Sequence, residues 1–203
     1  MARLESWLAL LMLLMLLMLL MLTATPARAL DLPELAALLA QRKSGEARFT
    51  EERFVSGFDD PLRASGTLSF AAPDRFARRT LEPREESMTV EGNQIVLKRG
   101  GRVRQMTVDA IPELNALIEA LRGTLMGDAP ALRRHFNVQV DGAPARWTLT
   151  LTPRDARLAT QLREIKITGL ASDVRSVELW MAGGDRSVMA IEPLQAAPRP
   201  APR

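Results

Sequence analysis

The spacing of apolar residues just after residue 30 predicts a helix. Leucines recur at helical spacing behind Asp31 and Pro33, a pairing typical of a helix start. We expect this helix to run to about Lys43 and to stop at Gly45. The segment 46–58 then changes period, and we assign it no element.

Alternation of apolar and polar side chains dominates the next part of the chain. Residues 62–70 alternate cleanly, with apolar or small side chains on one face and polar ones on the other, as in a half-buried strand. Further strands separated by tight turns are predicted at 75–81, 87–90, 94–98 and 102–108. Successive short strands of this kind predict an antiparallel meander.

Two helices interrupt the meander. Apolar residues repeat at helical spacing over 111–125 behind Pro112, and residues 128–136, with Pro130 in the first turn, predict a second, shorter helix. Strands resume at 136–140, 147–151, 164–168, 174–181 and 187–191. The order predicts one α+β domain over 30–193, with about ten strands in a curled sheet whose open side the helices can cover.

Residues 1–29 have the three parts of a secretory signal peptide. Arg3 supplies positive charge, residues 7–22 are an unbroken apolar run, and an A-x-A cleavage pattern ends at Ala29. The run would span ~24 Å as a helix, less than the ~30 Å hydrocarbon core of a bilayer. We therefore expect cleavage before Leu30 and a periplasmic product, with an uncleaved anchor as the alternative. The Pro-rich tail 194–203 is predicted to be disordered.

The composition excludes several classes of protein. The chain has 203 residues, a net charge of +3, no cysteine and one histidine. Without cysteine there is no disulfide framework, no thiolate metal site and no lipid-modified N-terminal cysteine. The small net charge is not that of a nucleic-acid-binding protein. We expect a monomer.

The sequence contains no recognisable catalytic constellation. His135 has no nucleophile motif near it, and paired-histidine metal motifs and phosphate-binding loops are missing. Two acidic pairs, Asp59 with Asp60 and Glu85 with Glu86, lie at predicted turns, where solvated carboxylates are common. We therefore predict neither enzyme activity nor a cofactor or metal site.

Basic residues cluster at one predicted hairpin. Lys98, Arg99, Arg102 and Arg104 flank a Gly-Gly turn. Such a cluster can meet an acidic partner or lipid headgroups. A solvated hairpin that resists aggregation is the alternative, and we favour it on the sequence alone.

The strongest positive signal is apolar surface on the inner side of the curled sheet. Alternating side chains of the strands converge there, and one face of the long helix would lie across the opening. Taken alone, this set is explained more simply by a filled core than by a ligand cavity. It comprises Phe49, Leu68, Phe70, Phe76, Met88, Leu97, Leu114, Leu117, Ile118, Leu121, Trp147, Leu149, Ile165, Ile167 and Leu179.

A succession of short motifs favours the cavity. The motifs are A-R-F-T at 47–50, S-G-T-L-S-F at 65–70, P-D-R-F at 73–76 and L-E-P at 81–83, followed by a hairpin at 90–95. Their order and spacing resemble those of the LolA-type outer-membrane lipoprotein carriers. The resemblance implies an unclosed antiparallel β-barrel with a helical lid, whose apolar cavity carries the acyl chains of lipoproteins.

The chain departs from that family at several positions. Ala72 stands where the family has an arginine tied to cargo transfer, and Arg78 and Thr80 stand where it has aromatic residues. The usual tryptophan of the hairpin is replaced by Val96 or Leu97. We therefore interpret the chain as a LolA-like relative of the housekeeping carrier. Arg78 is a candidate contact at the cavity rim for an anionic headgroup.

The resemblance implies one principal function and one alternative. The principal function is a non-catalytic periplasmic carrier that receives a lipoprotein or lipid from an inner-membrane exporter and delivers it to an outer-membrane acceptor. The alternative is a periplasmic lipid-sensing or regulatory binding module with the same fold.

Overall fold

Eleven strands and four helices make up the described part of the molecule. The computed structural model describes residues 30–110 and 112–194, without the side chains of residues 112–114. The helices are α1 (Leu32–Leu39), α2 (Pro112–Met126), α3 (Ala129–His135) and α4 (Ala156–Ala159), with a 3₁₀ turn at Val108–Ala110. The strands are β1 (Ser44–Phe54), β2 (Leu62–Ala71), β3 (Arg75–Glu82), β4 (Glu86–Glu91), β5 (Gln94–Arg99), β6 (Arg102–Thr107), β7 (Phe136–Ala143), β8 (Arg146–Pro153), β9 (Leu162–Leu170), β10 (Asp173–Met181) and β11 (Arg186–Pro193).

All eleven strands belong to one antiparallel sheet. Their spatial order is β6-β5-β4-β3-β2-β1-β11-β10-β9-β8-β7, so two meanders meet where β1 pairs with β11. The outermost strands β6 and β7 do not pair with each other, and the sheet is therefore not closed. This arrangement confirms the predicted α+β fold with a curled, unclosed barrel.

The strand at the centre of this sheet, β1, lies where the hydrophobic pattern predicted no element. The first helix ends at Leu39, before the predicted end at about Lys43, and β1 begins at Ser44. Gly45, where the helix was predicted to stop, is a strand residue paired with Phe70. A Cβ atom at this position would lie 2.7 Å from Cε1 of the Phe70 ring, so glycine allows the close approach. Further along β1 the alternation is hidden, since the inward position after Phe49 is the charged residue Glu51.

Two apolar clusters hold the helices against the concave face of the sheet. In the main cluster, α1, α3 and two alanines of α2, Ala116 and Ala120, pack against β7–β10. Its largest buried side chains include Leu35, Trp147 and Ile165. The second cluster joins α2 to β4 and β5 and consists of Val90, Ile95, Val108 and Ile118. The helices therefore rest on the sheet in two separate places.

Helix α2 is anchored at its C-terminal end and along one side. Gly127 has φ of +65° and lies against the backbone of Ala36, so only glycine fits there without strain. The Arg122 guanidinium donates to the backbone oxygen of Gly92 at the β4–β5 turn. These contacts fix α2 against α1 and against the β4–β5 turn.

Most of the two predicted terminal segments lies outside the described residues. This applies to the predicted signal peptide 1–29 and to all of the tail 194–203 except Leu194. Within the described ranges, every helix is too short or too polar to cross a bilayer.

Substitution of Gly169 is predicted to destabilise the fold. A Cβ atom at Gly169 would overlap the indole of Trp147, which is 1% exposed, and the backbone oxygen of Asp173. We expect Gly169→Ala to lower the free energy of unfolding by about 1–3 kcal/mol. The matched control is Gly183→Ala, which meets nothing within 4 Å and should change it by less than about 0.5 kcal/mol. Urea denaturation followed by tryptophan fluorescence measures both, and equal effects would contradict the packing described here.

Candidate functional site

An apolar cavity of about 280 Å³ lies between α2 and the sheet. Its wall includes side chains from both meanders, so it straddles the β1–β11 junction. An engineered apolar cavity of ~150 Å³ already binds benzene, so this space is large enough for a hydrocarbon group. The residues of the predicted set that line it are Leu68, Phe70, Phe76, Met88, Leu117, Leu121, Ile167 and Leu179.

The other predicted cavity residues lie elsewhere. Trp147, Leu149 and Ile165 are fully buried in the main cluster under α1 and α3. Ile118 belongs to the second cluster, and Leu97 packs against it. Phe49 is 2% exposed and covered by the Arg78 guanidinium, 4.5 Å from its ring centre. The side chain of Leu114 is outside the described residues. Helices α1 and α3 thus fill one half of the concave face, and only the other half stays hollow.

Several wall residues were missing from the sequence-based set. Met189 and Ile191 on β11 and Val174 and Val177 on β10 line the cavity. They belong to predicted strands, and alternation along those strands could have found Met189, Ile191 and Val177. Val174 is three positions before Val177, and an irregularity in the pairing between Val174 and Ser176 breaks the alternation there. That β11 lies next to β1 could not be inferred, because this pairing joins residues about 140 positions apart.

A buried carboxylate belongs to the cavity wall. Glu51 on β1 is 6% exposed, and its Oε1 accepts a hydrogen bond from the Ser187 hydroxyl at 2.6 Å. Arg78 on β3 donates from Nη2 to Oε2 of Glu51 at 2.5 Å. Arg53 adds a second, more exposed guanidinium, with Nη2 at 3.7 Å from Oε1. One carboxylate therefore faces two guanidinium groups at this part of the wall.

These partners keep Glu51 ionised inside an apolar site. Burial alone raises the pKa of the Glu51 carboxyl, because it removes water from the charged form. The Ser187 hydrogen bond and the charges of Arg78 and Arg53 act in the opposite direction and prevail, so the pKa lies below its ordinary value of 4.5. The cavity therefore holds a fixed ion pair, with the remaining charge of Arg53 near it.

A second polar region of the wall lies near the start of β1. The Arg42 guanidinium is 2.6 Å from Oδ1 of Asp173 on β10, and Arg175 contacts the same carboxylate at 3.4 Å. The Thr124 hydroxyl of α2 is buried in this wall, and the described residues offer it no hydrogen-bond partner. Both polar regions leave the surface between them apolar, which suits a ligand with a hydrocarbon portion.

No catalytic arrangement is seen among the described residues. His135 is the exposed last residue of α3, and the acidic groups Glu85 and Glu86 pair with Arg79 and Arg99 at the surface. Within the described ranges, no three His, Cys, Asp or Glu side chains approach closely enough to hold a metal ion. The features of the site are those of a binding cavity.

Removal of the Glu51 charge is predicted to destabilise the fold in a pH-dependent manner. We expect Glu51→Gln to lower the free energy of unfolding by about 1–3 kcal/mol at neutral pH, since the half-buried Arg78 guanidinium then loses its counter-ion. Because the folded-state pKa of Glu51 is depressed, its stabilising contribution is present above the ordinary carboxyl pKa and is lost as the pH falls through the folded-state value. The difference between variant and wild type should therefore shrink as the pH is lowered from 7 to values below the ordinary carboxyl pKa.

Thermal denaturation across this pH range measures the effect. The matched control is Glu52→Gln, since Glu52 points to the outer face and pairs with Arg63 at the surface. We expect it to change stability by less than about 1 kcal/mol at any pH. A pH-independent difference for Glu51→Gln would show that the ion pair does not contribute as described.

Comparisons with solved structures return proteins of similar fold at low identity. The LolA superfamily protein NE2245 from Nitrosomonas europaea shares 9% identity at a TM-score of 0.42, with 82% of this chain and 93% of that chain covered. A DUF1329 family protein from Desulfovibrio piger shares 10% identity at a TM-score of 0.45, with coverage of 79% and 90%. MucB in the Pseudomonas aeruginosa MucA/MucB complex shares 16% identity at a TM-score of 0.39, with coverage of 84% of this chain and 59% of that one.

A comparison with known protein families identifies the family of this chain. A search of curated proteins found no match to this chain. Residues 24–197 match the family described as "Outer membrane lipoprotein carrier protein LolA-like". The match covers the whole sheet, the cavity and all four helices. The chain therefore belongs to the LolA-like family.

Proposed function

We propose that this chain is a periplasmic carrier that shelters the acyl chain of a lipoprotein or lipid between an inner-membrane exporter and an outer-membrane acceptor. Members of the LolA-like superfamily are generally non-catalytic binding or carrier proteins. The observation that carries the proposal is the unfilled apolar cavity under α2, since a protein that only needed a stable core would fill this space.

The energetics of transfer explain why such a cavity is required. Each CH₂ group kept from water is worth about 0.8 kcal/mol, so a sixteen-carbon chain needs about 12 kcal/mol of shelter. A cavity of about 280 Å³ accommodates part of one chain more readily than several chains together. Partial shelter also suits a carrier. If the protein bound the ligand much more tightly than the membrane does, the ligand would not be released to the acceptor.

Lipid analysis of the protein as isolated tests the proposal. The protein is purified from the periplasmic fraction without detergent, extracted with organic solvent and analysed by mass spectrometry. We expect about one acyl species per protein molecule. A protein that contains no acyl species and copurifies with a protein partner would contradict the carrier proposal and favour a regulatory module.

A substitution that fills the cavity is predicted to reduce lipid content. Met189 on β11 lines the cavity, and the larger indole of Met189→Trp should occupy part of the space that the acyl chain needs. We expect at least a tenfold loss of bound acyl species. Ala190→Trp is the matched control, because Ala190 is the next residue and is exposed on the outer face. Equal acyl content in the two variants would contradict the proposed position of the ligand.

The proposed location requires removal of the predicted signal peptide. We expect the periplasmic protein to begin at Leu30, as the A-x-A pattern at 27–29 predicts. Intact mass and N-terminal sequencing measure the cleavage site. Full-length protein that remains in the inner-membrane fraction would instead support the uncleaved anchor.

A further inference from the structure

The basic cluster of the β5–β6 hairpin divides between the two faces of the sheet. Arg102, Arg104 and Met106 occupy every second position of β6, and the Met106 side chain packs against the second apolar cluster on the concave face. Their side chains therefore belong to the concave face as well. Lys98 pairs with the exposed Val103 on the convex face. The sequence alone could not separate these charges.

The strand register connects Arg104 to the cavity. Across the concave face, Arg78 on β3 is paired with Met88 on β4, Met88 with Leu97 on β5, and Leu97 with Arg104 on β6. Met88 lines the cavity, and Leu97 is half-buried beside it. Neighbouring strands are ~4.8 Å apart, so the backbones of Met88 and Arg104 are separated by ~10 Å. An apolar strip thus leads from the cavity to an exposed arginine.

Two of the four arginines on this part of the concave face have no carboxylate partner. Arg78 is paired with Glu51 at 2.5 Å, and Arg99 is paired with Glu86 at 2.9 Å. Neither Arg102 nor Arg104 has a carboxylate oxygen within 4.0 Å in the part of the chain that the structure describes. Both are exposed. The strip therefore ends in two uncompensated positive charges.

We propose that Arg102 and Arg104 bind the anionic head of the ligand whose hydrocarbon tail occupies the cavity. This inference rests on the proposed carrier function and specifies its ligand as an amphiphile with a phosphate or carboxylate head. Guanidinium groups suit such heads because their donors match the spacing of the acceptor oxygens. Arg78, the candidate from the sequence, is paired with Glu51 and stacked on Phe49, so much of its charge is already balanced.

Competition between ligands of equal tail length tests this assignment. The delipidated protein is loaded with the neutral dye N-phenyl-1-naphthylamine, and decyl phosphate or 1-decanol displaces it below the micellar concentration. We expect wild type to bind decyl phosphate at least tenfold more tightly than 1-decanol. The double variant R102E/R104E should lose this preference and keep its affinity for 1-decanol within twofold. K98E, which changes the same charge on the convex face of the same hairpin, should keep the preference.

The outcomes separate this inference from the carrier function. If the dye and 1-decanol bind but decyl phosphate has no advantage, or if K98E acts like R102E/R104E, the headgroup assignment is wrong and the cavity remains a tail site. If no ligand displaces bound dye, or the dye itself does not bind, the proposed function fails as well.

Two further measurements identify the source of the anion. Calorimetry with inorganic phosphate should show binding at least a hundredfold weaker than that of decyl phosphate; equal affinity would assign the arginines to free phosphate and overturn the proposal. Flotation with vesicles of phosphatidylglycerol serves as the second measurement. Vesicle binding that depends on Arg102 and Arg104, without a preference for soluble decyl phosphate, would make the hairpin a membrane contact and would likewise overturn it.

Discussion

Helix α2 is supported on both sides, but the space beneath it is not filled. The rest of the structure depends on this constraint. Ile118 fixes one side in the second cluster, and Gly127 brings the end of the helix against α1. Leu117 and Leu121 face the sheet across the cavity. Burial in the two clusters stabilises the position of the helix, so the apolar groups between them need not touch the opposite wall.

The unclosed sheet makes this arrangement possible. A closed barrel of small radius is filled by its own side chains, whereas a sheet whose edge strands β6 and β7 stay apart leaves room for a covering helix. The main cluster uses that room on one half of the concave face, where α1 and α3 cover Trp147 and Leu149. The other half is covered by α2 together with Leu39 of α1, and these side chains leave part of it unfilled.

The charged side chains of this site differ in whether they have a partner of opposite charge. Glu51 would be costly in an apolar wall without partners, and Ser187 and Arg78 satisfy both of its oxygens. Arg78, which departs from the family pattern, is paired with Glu51, so its positive charge is balanced by that carboxylate. Arg102 and Arg104, which have no carboxylate partner in the part of the chain that the structure describes, lie instead at the end of the strip that begins at the cavity wall.

The sequence by itself determined the order of ten of the strands and of helices α1 to α3, and which residues are apolar; it missed β1 and the short helix α4. Helical spacing over 111–125 and alternation in ten segments need only local periodicity, and the structure confirms these elements apart from small shifts at their ends. Local pattern failed at β1, where Glu51 stands at an inward position and Gly45 lies against Phe70. Only the tertiary structure decided that Trp147 is core while Leu68 lines a cavity, and that Lys98 and Arg104 lie on opposite faces of the sheet. Periodicity says which side of a strand is apolar, but the pairing of distant strands and the cover of each helix decide whether that side is filled, hollow or exposed.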